Sequence, residues 1–184
     1  MTTIQNQTFD QERALYGSRD LLVRNCSFNG PADGESAFKE CAGIQVEHSF
    51  FNLRYPFWHA KNVVVRNCTV KGEYLAWYCE NVTFDHCTII GTQPLCYCKG
   101  LKLIDCRMVD CELAFERSEV QATVTTSVVS IKNPLAGSHI TLPEVGTVIR
   151  DIPEAVGEIV VAAQNQVICA QTKARESRGG DEVA

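Results

Sequence analysis

The sequence contains no cluster of basic residues, no long apolar run and no export signal. Its 17 Lys and Arg residues are outnumbered by 22 Asp and Glu residues, and the net charge is −5. A nucleic-acid-binding protein would need a concentrated basic surface, so we expect no nucleic-acid partner. Nowhere do about 18 apolar residues follow one another, and residues 1–10 lack a basic flank before an apolar stretch. We therefore expect no membrane insertion, and we predict a cytoplasmic location.

Cysteine, by contrast, is abundant, with ten residues in a chain of 184. In a secreted protein this number would suggest a disulfide framework, but the absence of a signal peptide favours a reducing compartment and free thiols. Hydrophobic residues make up 45% and charged residues 21% of the chain, which is typical of one folded globular domain.

A repeat of about 19 residues runs along most of the chain. Its equivalent positions carry mostly small residues: Gln7, Cys26, Ser49, Cys68, Cys87, Cys106, Thr125 and Val145. Apolar residues alternate within each repeat, as Val63 and Val65 do, and no window has the 3.6-residue period of a helix. Because a unit this short cannot bury its own apolar face, it must stack on copies of itself. The repeat predicts an all-β, single-domain parallel β-helix of about seven coils.

Stacking the repeats places equivalent residues in columns. One column contains Trp58, Trp77, Cys96 and Phe115, and another contains Ala60, Cys79 and Cys98. The charged columns alternate in sign: Arg24, Glu47, Arg66 and Asp85; Lys61, Glu80 and Lys99; and Arg54 beside Glu73. Since opposite charges in neighbouring strands attract, we predict ion pairs between coils at these positions.

The ends of the β-helix require caps, because open strand edges invite aggregation. We predict that residues 1–17 form one cap, within a β-helix domain spanning residues 1–153. Residues 154–184 would form a C-terminal extension, in which residues 155–169 fit either a last strand or a short helix. Residues 171–184 are polar and contain Gly-Gly, so we predict that they are disordered.

Several short motifs carry a resemblance to a known family. They are residues 6–9 (NQTF) with 12–16 (ERALY), 74–77 (YLAW), 95–97 (LCY), 113–116 (LAFE) and 132–134 (KNP). In these motifs the chain resembles a bacterial family of unknown function, over residues 4 to about 153. That family is similar to the pectin-lyase-like superfamily, which implies a single-stranded right-handed parallel β-helix. Typical members have more coils, and this chain joins their first coils to their last near residues 70–74.

The outward column of the second strand is the best candidate ligand site. It reads Glu40, His59, Tyr78, Tyr97 and Glu116. Aromatic rings flanked by carboxylates are suited to hold sugars, since the rings stack on C–H faces and the carboxylates accept hydroxyl protons. The alternative is a solvated strand face whose aromatic residues cover the core. If the strip is catalytic, Glu116 is its acid/base candidate and the tyrosines are stacking platforms.

Other arrangements are weaker. Glu40 and Glu116 lie four coils apart, about 19 Å, which is too far for a glycosidase pair. Asp85 and Asp105 are closer, but Arg66 and His86 are expected to pair with them. His86 with Cys87 suggests a nucleophilic cysteine, yet the cysteine column points inward. Cys96 and Cys98 with Cys79 lack the usual spacing of a zinc site, so we predict no metal and no cofactor.

Near the C-terminal coils, the family resemblance implies a site that combines Tyr97 and Glu116 with Lys132 and Asn133. The alternative is structural, because Asn-Pro commonly initiates turns.

Two functional hypotheses remain, and whether the protein is an enzyme stays open. The first is a protein that binds or modifies a carbohydrate through the strip from Glu40 to Glu116, as superfamily analogy suggests. The second is a non-catalytic scaffold that binds another protein or a copy of itself through coil ends or sheet faces.

Overall fold

The structure is a computed structural model that describes residues 1–30, 35–164 and 166–168. The chain winds into a parallel β-solenoid of about eight turns, one more than predicted. The single helix in the described ranges is a 3-10 turn at Ala162–Gln164, and no helix there is long and apolar enough to cross a membrane. The all-β prediction is confirmed.

Each coil contributes one strand to a first sheet, in which every neighbouring pair is parallel. Its strands are β1 (Thr2–Gln5), β3 (Leu21–Arg24), β5 (Ala42–Glu47), β7 (Lys61–Arg66), β9 (Glu80–Asp85), β11 (Leu101–Val109), β12 (Val120–Val124), β14 (His139–Leu142) and β16 (Glu158–Val161). The final strand, β17 (Gln166–Ile168), pairs with β16 in the antiparallel direction and closes this edge.

A second sheet runs along another side of the solenoid. It consists of β2 (Thr8–Phe9), β4 (Ser27–Asn29), β6 (Phe50–Asn52), β8 (Thr69–Lys71), β10 (Thr88–Ile90) and the end of β11. Beyond β11, β13 (Val128–Lys132) pairs with β15 (Val145–Ile149) as a separate parallel ribbon. β11 crosses the corner without a break and so joins the two sheets.

The predicted register holds from the first coil to β11. The Ser49 hydroxyl accepts a hydrogen bond from the backbone of Cys26, and Ser49 in turn donates its backbone N–H to the Cys68 sulfur. The prediction is wrong after β11, because a bulge between Leu103 and Cys106 moves the pairing by one residue. Cys106 therefore lies beside Val124 instead of Thr125. Val145 pairs with Val128 in the ribbon and does not continue the column of small residues.

Most of the predicted ion pairs between coils are present, but Glu80 and Lys99 lie beside each other without an ion pair within 4.0 Å among the described residues. Arg24 meets Glu47 at 2.8 Å, Lys61 meets Glu80 at 3.1 Å, Arg66 meets Asp85 at 3.5 Å and Arg54 meets Glu73 at 3.2 Å. All of these side chains are partly solvent-exposed, so each pair stabilises the fold by less than about 1 kcal/mol. Their main effect is on the register of neighbouring strands, because a shifted pairing would separate the opposite charges.

Phenylalanine fills the widest part of the core. Phe28 and Phe51 stack at 4.6 Å between ring centroids, and Phe38 and Phe57 stack at 5.2 Å. All four side chains are fully buried. The spacing of the stacked rings matches the separation of neighbouring strands, so each of these two coils contributes one ring to each stack.

One corner of each coil is turned by a residue with a left-handed backbone. The corner residues are Asn6, Asn25, His48, Asn67, His86 and Asp105, with φ between 47° and 56°. Asn, Asp and His are the non-glycine residues that most often adopt this conformation. The backbone conformation therefore determines which residue types occur at this corner. In each coil the corner residue directly precedes the small residue of the repeat.

The nine cysteines within the described ranges are all free and buried. Most of their thiols donate to carbonyl groups of the preceding coil, as Cys98 does to Ala76 at 2.9 Å and Cys79 does to Phe57 at 2.8 Å. At the same column in the next coil, the Ser118 hydroxyl donates to Leu95 at 2.7 Å. The column thus supplies donors to carbonyls at the bend. Burial raises the pKa of Cys41 and Cys111 to about 12, which leaves these thiols protonated.

We expect Cys98→Ala to lower the free energy of unfolding by about 2 kcal/mol, because the Ala76 carbonyl would lose its buried donor. Cys98→Ser keeps a donor, as Ser118 does naturally, and should cost less. Chemical denaturation of both variants measures the difference. Equal destabilisation by alanine and serine would contradict a hydrogen-bonding role for the thiol.

The C-terminal segment combines both structures considered for it. Within residues 155–169, β16 continues the parallel sheet, the 3-10 turn follows, and β17 returns. Residues 171–184, for which disorder is predicted, lie outside the described residues.

Candidate functional site

The third side of the solenoid contains no strand. It is formed by residues 13–17, 36–40, 55–59, 74–78, 93–97 and 113–117, and in each segment every second residue has a positive φ. Hydrogen bonds between coils fix this backbone, as His59 N–H donates to Trp77 at 2.9 Å and Tyr78 N–H donates to Cys96 at 3.1 Å. The conformation costs about 1 kcal/mol or more per left-handed residue, so it persists only because neighbouring coils hold it.

Every tyrosine and tryptophan of the chain lies on this third side, which we call the aromatic side. Its seven members are Tyr16, Tyr55, Trp58, Tyr74, Trp77, Tyr78 and Tyr97. None of these seven side chains belongs to the buried core, whereas six of the eight phenylalanines are fully buried there. Aromatic residues with a polar atom are therefore separated from those without one, and they are placed at the surface.

The rings form two parallel stacks along the solenoid axis. His59 stacks on Tyr78 with centroids 5.2 Å apart, and Tyr78 stacks on Tyr97 at 4.7 Å. In the second stack, Tyr55 lies 4.8 Å from Tyr74. Because the rings cover one another, their faces inside each stack are not accessible. The stacks present ring edges and hydroxyl groups to solvent.

Trp77 lies between the two stacks and is turned across them. Its plane makes angles of 71° with Tyr97 and 87° with Tyr55, and its indole N–H donates to the Gln93 carbonyl at 2.7 Å. Trp58, one coil earlier, has a buried indole nitrogen without an acceptor, while the Lys39 amine lies 4.3 Å from its ring centroid. The two tryptophans therefore have different roles despite equivalent positions.

Glu116 does not occupy the predicted place in the strip. Tyr97 N–H donates to the Glu116 carbonyl at 2.7 Å, which in this parallel pairing places Tyr97 beside Arg117. Phe115 is displaced in the same way. It continues the buried column of Leu95 and not the column of Cys96, and Leu95 and Phe115 both have a φ of 65°. The cause is one additional residue in this coil compared with the coil before it. The usual spacing between equivalent residues returns at the start of β12.

Glu116 forms an ion pair with Lys132 across two coils. The Lys132 amine lies 3.0 Å from the Glu116 carboxylate, and the side chains are 25% and 13% exposed. Its hydrogen bond to Glu116 raises the pKa of Lys132. Burial, and then the Glu116 charge, raises the pKa of Tyr97 nearby. Tyr97, Glu116 and Lys132 are thus close together, as the resemblance implies.

Asn133 does not face outward with this group. It is 1% exposed, and its amide donates to the Asp151 carboxylate at 2.6 Å while its carbonyl accepts the Asp151 N–H at 3.0 Å. Both polar atoms of the side chain are therefore used within the fold. At the other end of the strip, Glu40 accepts a hydrogen bond from Tyr16 at 2.8 Å, and this bond raises the pKa of Tyr16.

A protein-family model matches the chain in two overlapping stretches, residues 2–69 and 57–162. The family is described as "Protein of unknown function (DUF3737)". The chain belongs to this family. A comparison with curated proteins found no match, and neither did a comparison with solved structures.

In this member of the family, the His86 arrangement is a surface ion pair. The His86 imidazole contacts the carboxylate of its neighbour Asp85 at 2.6 Å, while Asp105 is 4.0 Å away. The Cys87 thiol points inward and donates to Val65 at 3.3 Å. Histidine and thiol are therefore separated, in agreement with the sequence argument. The described residues bring together no cluster of three His, Cys, Asp or Glu side chains suited to a metal ion.

We predict that His86 titrates above its ordinary pKa of about 6.5, because the hydrogen bond to Asp85 favours the protonated imidazole. The interaction then stabilises the fold below about pH 6.5 and is lost as the pH rises through the raised value. NMR titration of the imidazole measures this. Asp85→Asn should lower the pKa, with a smaller change for Asp105→Asn. An unchanged titration in Asp85→Asn would contradict the assignment.

Sequence reasoning missed three features of the aromatic side: the second stack of Tyr55 and Tyr74, the crosswise orientation of Trp77, and the place of Arg117. The first was accessible, since Tyr55 and Tyr74 are 19 residues apart. The third required noticing that Cys98 and Ser118 are 20 residues apart and share one column.

Proposed function

We propose that the protein is a non-catalytic β-solenoid that binds another protein through its aromatic side. The observation that carries this proposal is the segregation of all Tyr and Trp side chains to one solvent-facing side. Tyr, Trp and Arg are the residues that most often dominate binding energy in protein interfaces. Arg54, which lies 5.5 Å from the Tyr55 ring centroid, and Arg117 add to this composition.

The ring stacks favour a protein partner over a sugar. A sugar stacks on an open aromatic face, but the faces of Tyr78 are covered by His59 and Tyr97. The exposed edges and hydroxyls instead suit the mixed apolar and hydrogen-bonding contacts of a protein surface. Because the backbone of this side is fixed by hydrogen bonds between coils, the surface is preorganised and little conformational entropy is lost on binding.

The ion pair of Glu116 supports a role without catalysis. A glycosidase requires two carboxyl groups about 5 to 9.5 Å apart, one of them protonated as the acid. Glu116 instead forms an ion pair with the Lys132 ammonium group, 3.0 Å away. We therefore propose that Glu116 and Lys132 join the last coils of the aromatic side.

A saccharide ligand is the second candidate. The orientation of Trp77 favours a saccharide, because its indole ring is turned across the two stacks and is only half-buried. The resemblance to the pectin-lyase-like superfamily also points to carbohydrate, by analogy of fold. In this case Trp77, and not Tyr78, would be the stacking platform.

Two matched variants test the proposal. Tyr78→Ser removes a ring that is 44% exposed on the aromatic side, and Ile104→Ser removes a side chain that is 43% exposed on the first sheet. Proteins retained by immobilised wild type and by Ile104→Ser, but lost with Tyr78→Ser, would support it. Sedimentation of the same variants shows whether the partner is a second copy of this chain. Partners that bind equally to all three proteins would contradict the proposal.

A thermal-shift screen with neutral and uronic-acid saccharides tests the second candidate. A ligand at 100 times its Kd stabilises the folded state by about 2.7 kcal/mol. A shift that disappears in Trp77→Leu and persists in Ile104→Ser would replace the protein partner by a sugar. The absence of any shift would eliminate the saccharide.

A further inference from the structure

The aromatic side ends abruptly at the C-terminal coils. Residues 91–100 and 110–119 connect the sheets in the two coils that carry Tyr97 and Arg117, but only residues 133–138 do so in the next coil. Because the shorter connection covers less of the side, a recess of about 630 Å³ lies beyond Tyr97. Its apolar lining includes Leu135, Ala136 and Val156. This volume is in the range of small-molecule sites.

One face of the Tyr97 ring is open to this recess. Tyr78 stacks on the face toward the N-terminal coils at 4.7 Å. Apart from Cys98 and Lys99, which follow Tyr97 in its own coil, the residues that line the recess belong to later coils, so the opposite face of Tyr97 is directed toward it. The next residue of the column is Arg117, and the cation–ring contacts of the described residues do not include a guanidinium over Tyr97. The stack therefore ends at a position where one more ring can be added.

Charges of both signs line the recess without neutralising one another. Lys99 and Arg117 provide two cations, and Glu119 and Glu154 provide two anions. Among the described residues, none of the four takes part in an ion pair within 4.0 Å. Most members of the charged columns of the first sheet, in contrast, pair from coil to coil, and Lys99 is a column member for which the described residues provide no such pair. Unpaired charges beside an apolar recess can bind a ligand that carries both signs.

We propose that the recess binds a free aromatic amino acid in its zwitterionic form. The ligand ring stacks on the open face of Tyr97 as the next member of the stack, against Leu135 and Val156. Its carboxylate accepts hydrogen bonds from Arg117 and Lys99, and its ammonium group donates to Glu119 or Glu154. This recess shares Tyr97 and Arg117 with the protein-binding surface proposed above, but neither proposal requires the other, because the recess is tested by titration with a small ligand alone.

The complementary charges distinguish this ligand from a sugar. A neutral saccharide would gain the ring contact but leave four charges with only neutral partners. An aromatic acid would provide a partner only for the two cations, and an aromatic amine only for the two anions. The amino acid satisfies both, and aromatic stacking adds about 0.5 to 1.5 kcal/mol per ring pair.

Calorimetric titration of the full chain with L-tryptophan tests the proposal, with tryptamine, indole-3-acetate, L-leucine and methyl glucoside as comparison ligands. We expect L-tryptophan to bind at least about tenfold more tightly than each of the others, since each lacks at least one of the contacts. The variants Tyr97→Leu and Arg117→Gln should each weaken L-tryptophan binding by a similar factor. Phe50→Leu and Arg107→Gln, which change an exposed ring and an exposed guanidinium elsewhere, should not.

The proposal would be overturned by no heat with L-tryptophan, by equal binding of L-leucine, by tighter binding of methyl glucoside, or by binding that Tyr97→Leu and Arg117→Gln leave unaffected. Thermal unfolding of each variant confirms that it is folded before titration. Loss of binding in Tyr97→Leu alone, with Arg117→Gln unchanged, would likewise contradict the charged contacts.

Discussion

Gly72→Ala is expected to lower the free energy of unfolding by more than about 4 kcal/mol, a loss that few single substitutions reach. An added Cβ would lie 1.8 Å from the Leu53 carbonyl oxygen, which belongs to the backbone of the neighbouring coil and cannot move aside. Gly72 also has a φ of 149°, a conformation that residues with a side chain rarely adopt. Chemical denaturation, or the absence of soluble folded protein, measures the effect.

Gly17→Ala is the matched control. Gly17 also has a positive φ, of 64°, but an added Cβ would meet no atom within 4 Å. Its cost should be only the backbone strain, about 1 kcal/mol. Gly91→Ala should behave like Gly72→Ala, because its Cβ would lie 2.1 Å from the Gly72 carbonyl. Similar stabilities of the Gly17 and Gly72 variants would show that close coil stacking at this column is not required.

Phe57→Ala should destabilise the protein by about 3 to 5 kcal/mol, the usual cost of removing a fully buried ring. Phe57 contacts Phe38 and Phe51 at 5.2 Å each and Phe84 at 6.3 Å, so its removal opens a cavity between three other rings. Because these rings belong to stacked coils, the cavity cannot collapse without moving the sheets.

Phe9→Ala provides the comparison. Phe9 is half-buried in the first coil and stacks on Phe28 alone, at 4.8 Å. We expect a clearly smaller loss, measured by the same denaturation experiment. Equal losses at Phe9 and Phe57 would mean that stability does not depend on the packing of the central coils.

The sequence was sufficient to predict the solenoid, because a fixed repeat length and alternating apolar residues describe one architecture only. It also predicted the coil-to-coil ion pairs, since the charges alternate in sign at the repeat spacing. What it did not give was the change of spacing in the coil that carries Glu116. Because of the additional residue before Glu116, Arg117 occupies the surface position that was predicted for Glu116. The strands before and after this connection still begin in register.

Ring orientation was inaccessible for another reason. The spacing places Tyr78 above His59 and below Tyr97, but it does not say whether the rings lie flat on the surface or face one another. That choice depends on the left-handed backbone of the third side, which is maintained by contacts between coils. The predicted stacking platforms are consequently covered, and the open face at Tyr97 follows only from the shorter connection in the next coil.

The coil spacing also bears on how such a protein can change its length. Strands in the two sheets bond only to the coils directly before and after them, so a stretch such as residues 61–79 is a complete unit. Deleting or duplicating it would leave every remaining side chain on its own side of the solenoid. The aromatic side would then shorten or lengthen by one ring in each stack, while the recess beyond Tyr97 would stay intact. Evolution can therefore adjust the reach of this surface in steps of one coil without altering the core that supports it.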